Sequence, residues 1–228
     1  MLEDGLSYPV RGEWVGRTII GSVLGFLSFL LIPVVFLMGY FVRVLETTVA
    51  GANEPPAFED WGELFIKGIS AILIGLVYSL VPAILYVILV SVLLGTGGAL
   101  GGDGGVLAGL GFMSMLTFIP LMMFISYIVP AALTNYARTG DISAAFDIGV
   151  IKSVAFSVDY LVAMLLPIVV GVVVWVAAFV LAVTIIGLLF VPVLYFYMYV
   201  AIFRMFGSAF AKTDPTTQTD SVTAAQST

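Results

Sequence analysis

The residues able to do chemistry in this chain are few, and most of them are carboxylic acids. Glu54, Glu59, Asp60 and Glu63 crowd the stretch NEPPAFEDWGELFIK, between Arg43 and Lys67. Dense carboxylates supply hard oxygen ligands of the kind Mg²⁺ or Ca²⁺ takes, but the spacing matches no EF-hand loop. A hydrated acidic surface with a helix cap accounts for them better, and no metal site is expected. Asp159 is the other notable acid, the single charge between Val154 and Phe203. A carboxylate inside a membrane span is costly and by default marks a polar pathway or an ion pair. Tyr40, Tyr127 and Tyr199 each follow a proline by seven positions, a spacing that would set their phenols at matched depths. Asp159, Tyr40 and Tyr127 are therefore the candidate polar pathway, weighed against plain packing and interfacial roles.

What is missing restricts the chemistry further. The chain has no cysteine and no histidine, which removes disulfides, thiol nucleophiles, imidazole bases and nearly every zinc or haem site. The glycine-rich GTGGALGGDGG lacks the GK[ST] ending of a phosphate loop. No catalytic residue and no cofactor is expected, and the chain reads as non-enzymatic. A net charge of −6 with a pI near 4.4 argues against nucleic acid, whose phosphates require clustered Lys and Arg. An acidic, lysine-poor composition of this kind resembles that of proteins from salt-loving archaea.

These residues must be positioned by elements that use lipid as solvent. The chain is 61% hydrophobic and 10% charged, with mean hydropathy +1.19, where an ordinary globular domain is ~25% charged. Crossing a bilayer core takes about 20 apolar residues. Thr18 to Val42 satisfies this between Arg17 and Arg43, with Pro33 at its middle, and reads as one kinked span or a re-entrant pair. Ile69 to Gly95 is a second span, entered by an amphipathic turn in which Asp60 caps the helix with Glu63 as its capping-box partner and Trp61 sits at the interface. Val106 to Ala137 is a third. A single helix from Val154 to Phe203 would be roughly 75 Å long, so it must fold back, with the turn expected at Thr184 to Gly187 and Pro192 in the first turn of the last helix. The first apolar span does the targeting, because MLEDGLSYPVRGEWVGR lacks the order of a cleavable signal.

The expected architecture is an all-α integral membrane protein of about five transmembrane helices, one membrane domain over residues 1–212 with a disordered polar tail at 213–228. GFLSFLLIPVVFLMGY from Gly25 and GFMSMLTFIPLMMFISY from Gly111 align after one insertion, and the Ile-Lys pairs ending in Lys67 and Lys152 are each followed by a proline at the same offset. This pattern suggests a tandem two-span repeat, two copies plus a half, over residues 17–95, 104–183 and 188–212. Arg43, Trp61, Lys67, Arg138, Lys152 and Arg204 are the expected topology and interface anchors. With five spans the basic loops and the C-terminus fall in the cytoplasm and the N-terminus outside. If Pro33 marks a hairpin, the N-terminus returns inside and all eight basic residues share one face.

The segment from Gly39 to Gly68, with Gly39-Tyr40, Arg43, Gly51, Pro56, Phe58, Asp60-Trp61, Leu64-Phe65 and Gly68, resembles the membrane proteins grouped as domain-of-unknown-function family 4013. Pro130-Ala131-Ala132-Leu133, Tyr136-Ala137, Gly140 and Ala145-Phe146-Asp147 continue the resemblance. It implies a multi-span protein of the cell membrane and no activity. The leading expectation is a membrane-embedded interaction or scaffold module, partnered by membrane lipid and by a second copy or another membrane protein through its many Gly and Ala residues. The alternative is a small-solute or ion transporter or channel built at the interface of parallel repeats.

Overall fold

The computed structural model describes residues 1–99 and 104–213, and within them every regular element is helical. In chain order these are α1 (Leu2–Ser7), a 3₁₀ turn Tyr8–Val10, α2 (Trp14–Phe26), a 3₁₀ turn Leu27–Leu30, α3 (Ile32–Val49), α4 (Trp61–Ala99) and α5 (Gly104–Thr139). A 3₁₀ turn Ile142–Phe146, α6 (Ile148–Ala155), α7 (Val158–Ala182), α8 (Ile185–Leu188) and α9 (Val191–Thr213) complete it. Asp103 and the expected tail beyond Thr213 lie outside the described residues. Five helices are long and apolar enough to cross a membrane: α3, α4, α5, α7 and the segment Ile185–Thr213.

The chain divides into two compact units, Met1–Ile72 with Pro130–Thr228, and Leu73–Val129. In the first, α9 is the central post, packed by α1, α2, α3 and α7. Tyr40, Phe41, Val44, Leu64, Phe196 and Val200 form one buried cluster, and Val170, Val174, Met198 and Met205 a second. The α7–α9 pair is antiparallel, with Ser157 beside Thr213 at one end and Leu181 beside Leu194 at the other. The reversal falls where the sequence places it: Thr184 accepts the Gly187 N–H and caps α8, and Pro192 occupies the first turn of α9, where its missing N–H costs nothing. In the second unit, α4 and α5 form an antiparallel pair, with Leu94 covering Gly111 and the Tyr86 hydroxyl donating to the Ser114 carbonyl at 2.8 Å.

Of the two forms expected for the first apolar stretch, the backbone takes the broken one, as two helices. It is not one kinked helix. The backbone breaks at Leu31, whose φ is +63°, and Pro33 opens α3 rather than bending a longer helix. Gly12 and Arg17, before and within α2, meet Glu54 beyond the C-terminal end of α3, while Gly25 faces Pro192 at the start of α9. Helix α2 therefore runs antiparallel to α3 and α9. The N-terminal residues consequently return to the end where α9 terminates, and Asp4 pairs with Arg204 at 3.0 Å. This contact sets the N-terminal segment beside the C-terminal half of α9.

Local structure agrees with the proposed repeat at some positions and departs from it at others: Pro33 and Pro192 both lie in the first turn of a helix, and Pro82 and Pro167 both lie within one. Pro33 starts a helix whereas Pro120 lies within α5, and Lys67 rides on the unbroken α4 whereas Lys152 sits on α6, which stops before Ser157.

Candidate functional site

Most of the ion-paired residues of the first unit gather at one end, in two clusters. The first joins α3 to the start of α4. These helices touch backbone to backbone, because a methyl group built on Gly39 would overlap the Leu64 carbonyl oxygen and one on Gly68 the Val35 carbonyl oxygen. This close crossing brings Arg43 to the incoming loop. Its Nη1 donates to the Glu59 carbonyl at 2.6 Å and to the Ala57 carbonyl at 3.4 Å, and its Nη2 to Glu63 Oε2 at 2.8 Å. Lys67 then bridges Glu63, at 2.6 Å, and Glu46. Glu63 is thus a shared counter-ion for Arg43 and Lys67. At Asp60 it is the main-chain carbonyl that closes the first turn, accepting the Leu64 N–H at 3.0 Å, with φ at +49°.

The second cluster ties the N-terminal segment to α9. Asp4 binds Arg11 through Oδ1 at 2.8 Å and Arg204 through Oδ2 at 3.0 Å. Arg204 also donates to the Ala52 carbonyl at 2.7 Å and lies 4.5 Å from the ring centroid of Tyr8. Tyr8 is fully buried and its hydroxyl donates to the Glu54 carbonyl at 3.0 Å. Arg17, 3.9 Å from Glu54, donates to the Arg11 carbonyl. Partial burial pushes the Asp4 carboxyl up, but hydrogen bonds and charge from Arg204 and Arg11 outweigh it and hold Asp4 below its ordinary value. A buried Arg needs acceptors for its fixed fork of N–H groups. Here main-chain carbonyls of the 52–59 loop supply several of them.

The other expected anchors occupy the same end. Arg138 donates to Asn135 Oδ1 at 3.0 Å and lies 5.8 Å from the ring centroid of Phe210. Asn135, itself buried, donates to the Ala144 carbonyl at 2.8 Å. Lys152 is exposed on α6, ahead of Ser157. Trp61 is half exposed and edges onto Phe36 at 5.3 Å.

The three residues of the candidate polar pathway are placed differently from one another. Tyr40 is fully buried, stacks on Phe58 at 4.0 Å, and spends its hydroxyl on the Pro56 carbonyl at 3.1 Å. Asp159 stands in the first turn of α7, half exposed and 3.8 Å from Lys212. It is at a helix start, not in mid-span. Tyr127 belongs to the second unit, on α5, and is partly exposed. Tyr40 packs against α9 at Phe196, and Asp159 lies near the C-terminal end of α9 at Lys212. Among the described residues no group of three or more acids gathers to hold a metal ion, and the acids of the Glu54–Glu63 stretch turn to different partners.

Sequence reasoning passed over Asp4, Tyr8, Glu46 and Asn135. Asp4 and Arg204 are 200 positions apart, and nothing local announces such a pair. The one available hint was Pro9 after Tyr8, which marks a turn ahead of the first apolar run.

The arrangement is one of fastening. Its cations are matched to carboxylates and carbonyls, and its aromatic rings are stacked. No curated protein and no solved structure matches the chain. A family model described as "Protein of unknown function (DUF4013)" matches residues 26–183, and the chain belongs to that family.

Proposed function

We propose that this is a multi-pass protein of the cell membrane that works as a non-enzymatic interaction or scaffold module, with both termini in the cytoplasm. The observation that carries the reading is the one-sided distribution of charge on apolar helices. All eight basic residues belong to the first unit, and those with resolved partners, from Arg11 at Asn53 to Lys212 at Asp159, lie at the end where α3 and α9 finish. The reversals at Leu27–Leu31 and Val183–Phe190 carry no charge and come together near Pro192. Basic residues accumulate on the cytoplasmic side of spans. With α2 and α3 as an antiparallel pair, six crossings return the C-terminus to the side of the N-terminus.

The scaffold reading over transport is supported by the dry packing around Tyr40 and by the surface position of Asp159. The spanning windows of α4 and α5 are only 6% buried, which leaves long apolar faces for lipid, a second copy or another membrane protein. The test uses the cysteine-free background. Single cysteines at Glu3, Lys212, Leu31 and Ile185 are treated with a membrane-impermeant maleimide on intact cells. Labelling at 31 and 185 from outside, and at 3 and 212 only after lysis, is expected; labelling of position 3 from outside overturns the topology. Single-molecule photobleaching in bilayers reads self-association, and a strictly monomeric chain that moves ions or solutes across vesicles would replace the scaffold reading with transport.

A further inference from the structure

A cavity of about 360 Å³ lies between α2, α3 and α9 in the first unit, with Gly21, Gly25, Leu37, Phe41, Tyr195 and Tyr199 among its walls. It sits toward the uncharged end. Beyond Pro192 a second recess continues it, bordered by Phe26 and Leu189, and both of these side chains are well exposed. No charged residue lines either space. Gly25 makes the room: a methyl group there would stand 3.8 Å from Pro192 Cβ, at ordinary contact, so this part of the α2 wall is backbone where a Leu would have filled the gap, whereas Gly21 is covered by the Phe196 ring.

The walls are not wholly apolar. The hydroxyls of Tyr8, Tyr40, Tyr86 and Tyr197 each donate to a main-chain carbonyl, and that of Tyr160 accepts the Ala131 N–H. Tyr195 and Tyr199, one helical turn apart on α9, make no hydrogen bond through their hydroxyls to any described residue. Tyr195 is partly exposed and Tyr199 well exposed, so in a bilayer these phenols face hydrocarbon, where a hydroxyl without a partner costs free energy unless a ligand oxygen accepts from it. An apolar cavity of about 150 Å³ stays dry and takes up benzene, so this one has room for a hydrocarbon chain on the order of a dozen carbons.

We propose that the cavity is a binding site for one alkyl chain of a membrane lipid, with an oxygen of that lipid's glycerol linkage accepting from Tyr195 or Tyr199. The inference rests on the membrane reading above, because only a bilayer presents such a chain to the exposed Phe26 and Leu189. A water-soluble metabolite is disfavoured by the uncharged mouth.

The test reconstitutes the full chain in phosphatidylcholine vesicles doped with a phosphatidylcholine carrying a diazirine in one acyl chain, followed by irradiation and peptide mapping. Adducts on Tyr195 or Tyr199 are expected alongside those on the outward face of α7 at Val172 and Val173. Gly25→Phe, and independently Val34→Phe from the α3 wall, should lower the cavity adducts about tenfold and leave those on α7 unchanged. The double variant Tyr195→Phe/Tyr199→Phe should lower them about threefold, the worth of a modest hydrogen bond. Cavity adducts undiminished in both filling variants, or absent from wild type while α7 is labelled, overturn the site, and undiminished labelling in the Tyr variant removes the hydroxyl contact. Absence of adducts at both places would instead overturn the membrane reading.

Discussion

Arg43 and Asp4 show how single side chains close one end of the helices. Arg43 is largely buried, and its guanidinium satisfies two main-chain carbonyls and one carboxylate. Removing it strands acceptors already withdrawn from water. Arg43→Ala is expected to lower unfolding stability by about 1–3 kcal/mol, measured by denaturation in detergent micelles. Arg43→Lys should fail to restore the loss, because an ammonium cannot reproduce the planar fork. Asp4 gives a pH dependence of known sign. Its carboxyl titrates below the ordinary 3.8 in the folded protein, so ionised Asp4 stabilises the clasp at pH values above about 4 and the contribution is lost as pH falls through the lowered value. A spin label at Leu2 should therefore become mobile on acidification below about pH 4. Asp4→Asn should give the mobile spectrum at neutral pH and abolish the transition. A label that stays immobile in the variant would show that Tyr8 alone holds α1.

At the scale of elements, the contrast among glycines is the sharpest expectation. Gly39 and Gly68 lie where α3 and α4 cross in backbone contact, and any Cβ there must push a carbonyl away. Gly39→Ala and Gly68→Ala should each be severely destabilising, read as lost monodisperse protein on extraction. A methyl group on Gly75 or Gly171 meets nothing within 4 Å. Alanine there should be neutral or stabilising by about 0.5–1 kcal/mol, the ordinary helix preference over glycine. Leu31 makes the complementary case: a β-carbon at φ +63° is strained, and Leu31→Gly should stabilise the α2–α3 turn by roughly 1 kcal/mol. That residue also explains why this reversal was hard to read. A chain that turns back usually announces it with glycine or asparagine, and here the only polar side chain in Leu27-Ser28-Phe29-Leu30-Leu31 is a serine, leaving Pro33 to look like a kink. The reversal at Thr184 was legible because a capping hydroxyl, a glycine and a proline fell in order. The ion pairs of Asp4 and Glu46 were not, since they depend on which helices become neighbours.

For the molecule as a whole, the asymmetry of charge should decide which way the helices insert. Every Lys and Arg belongs to one unit, and the partners resolved for them lie at a single end; the apolar turns at Leu31 and Ile185 lie at the other, both highly exposed. A lysine at the centre of a span costs ~2.5–3.5 kcal/mol on insertion scales, and even near a span's end it adds to the positive charge that resists translocation. Leu31→Lys/Ile185→Lys, extended by a third lysine in place of Leu189, puts three positive charges at the end that the proposed topology sends across the membrane. The basic residues at the original end are mostly neutralised by Asp4, Glu46, Glu54 and Glu63, so the orientation rests on a margin that three lysines can erode. The expected result is a mixed population: a cysteine at position 3 becomes partly reactive to impermeant maleimide from outside, and the yield of membrane-inserted protein falls. The same number of glutamates at 31, 185 and 189 should leave orientation intact, because acidic residues contribute little to the rule. Equal behaviour of the lysine and glutamate variants would mean that orientation is set by the clasp between the N-terminal segment and α9, after insertion, and not by the distribution of basic residues.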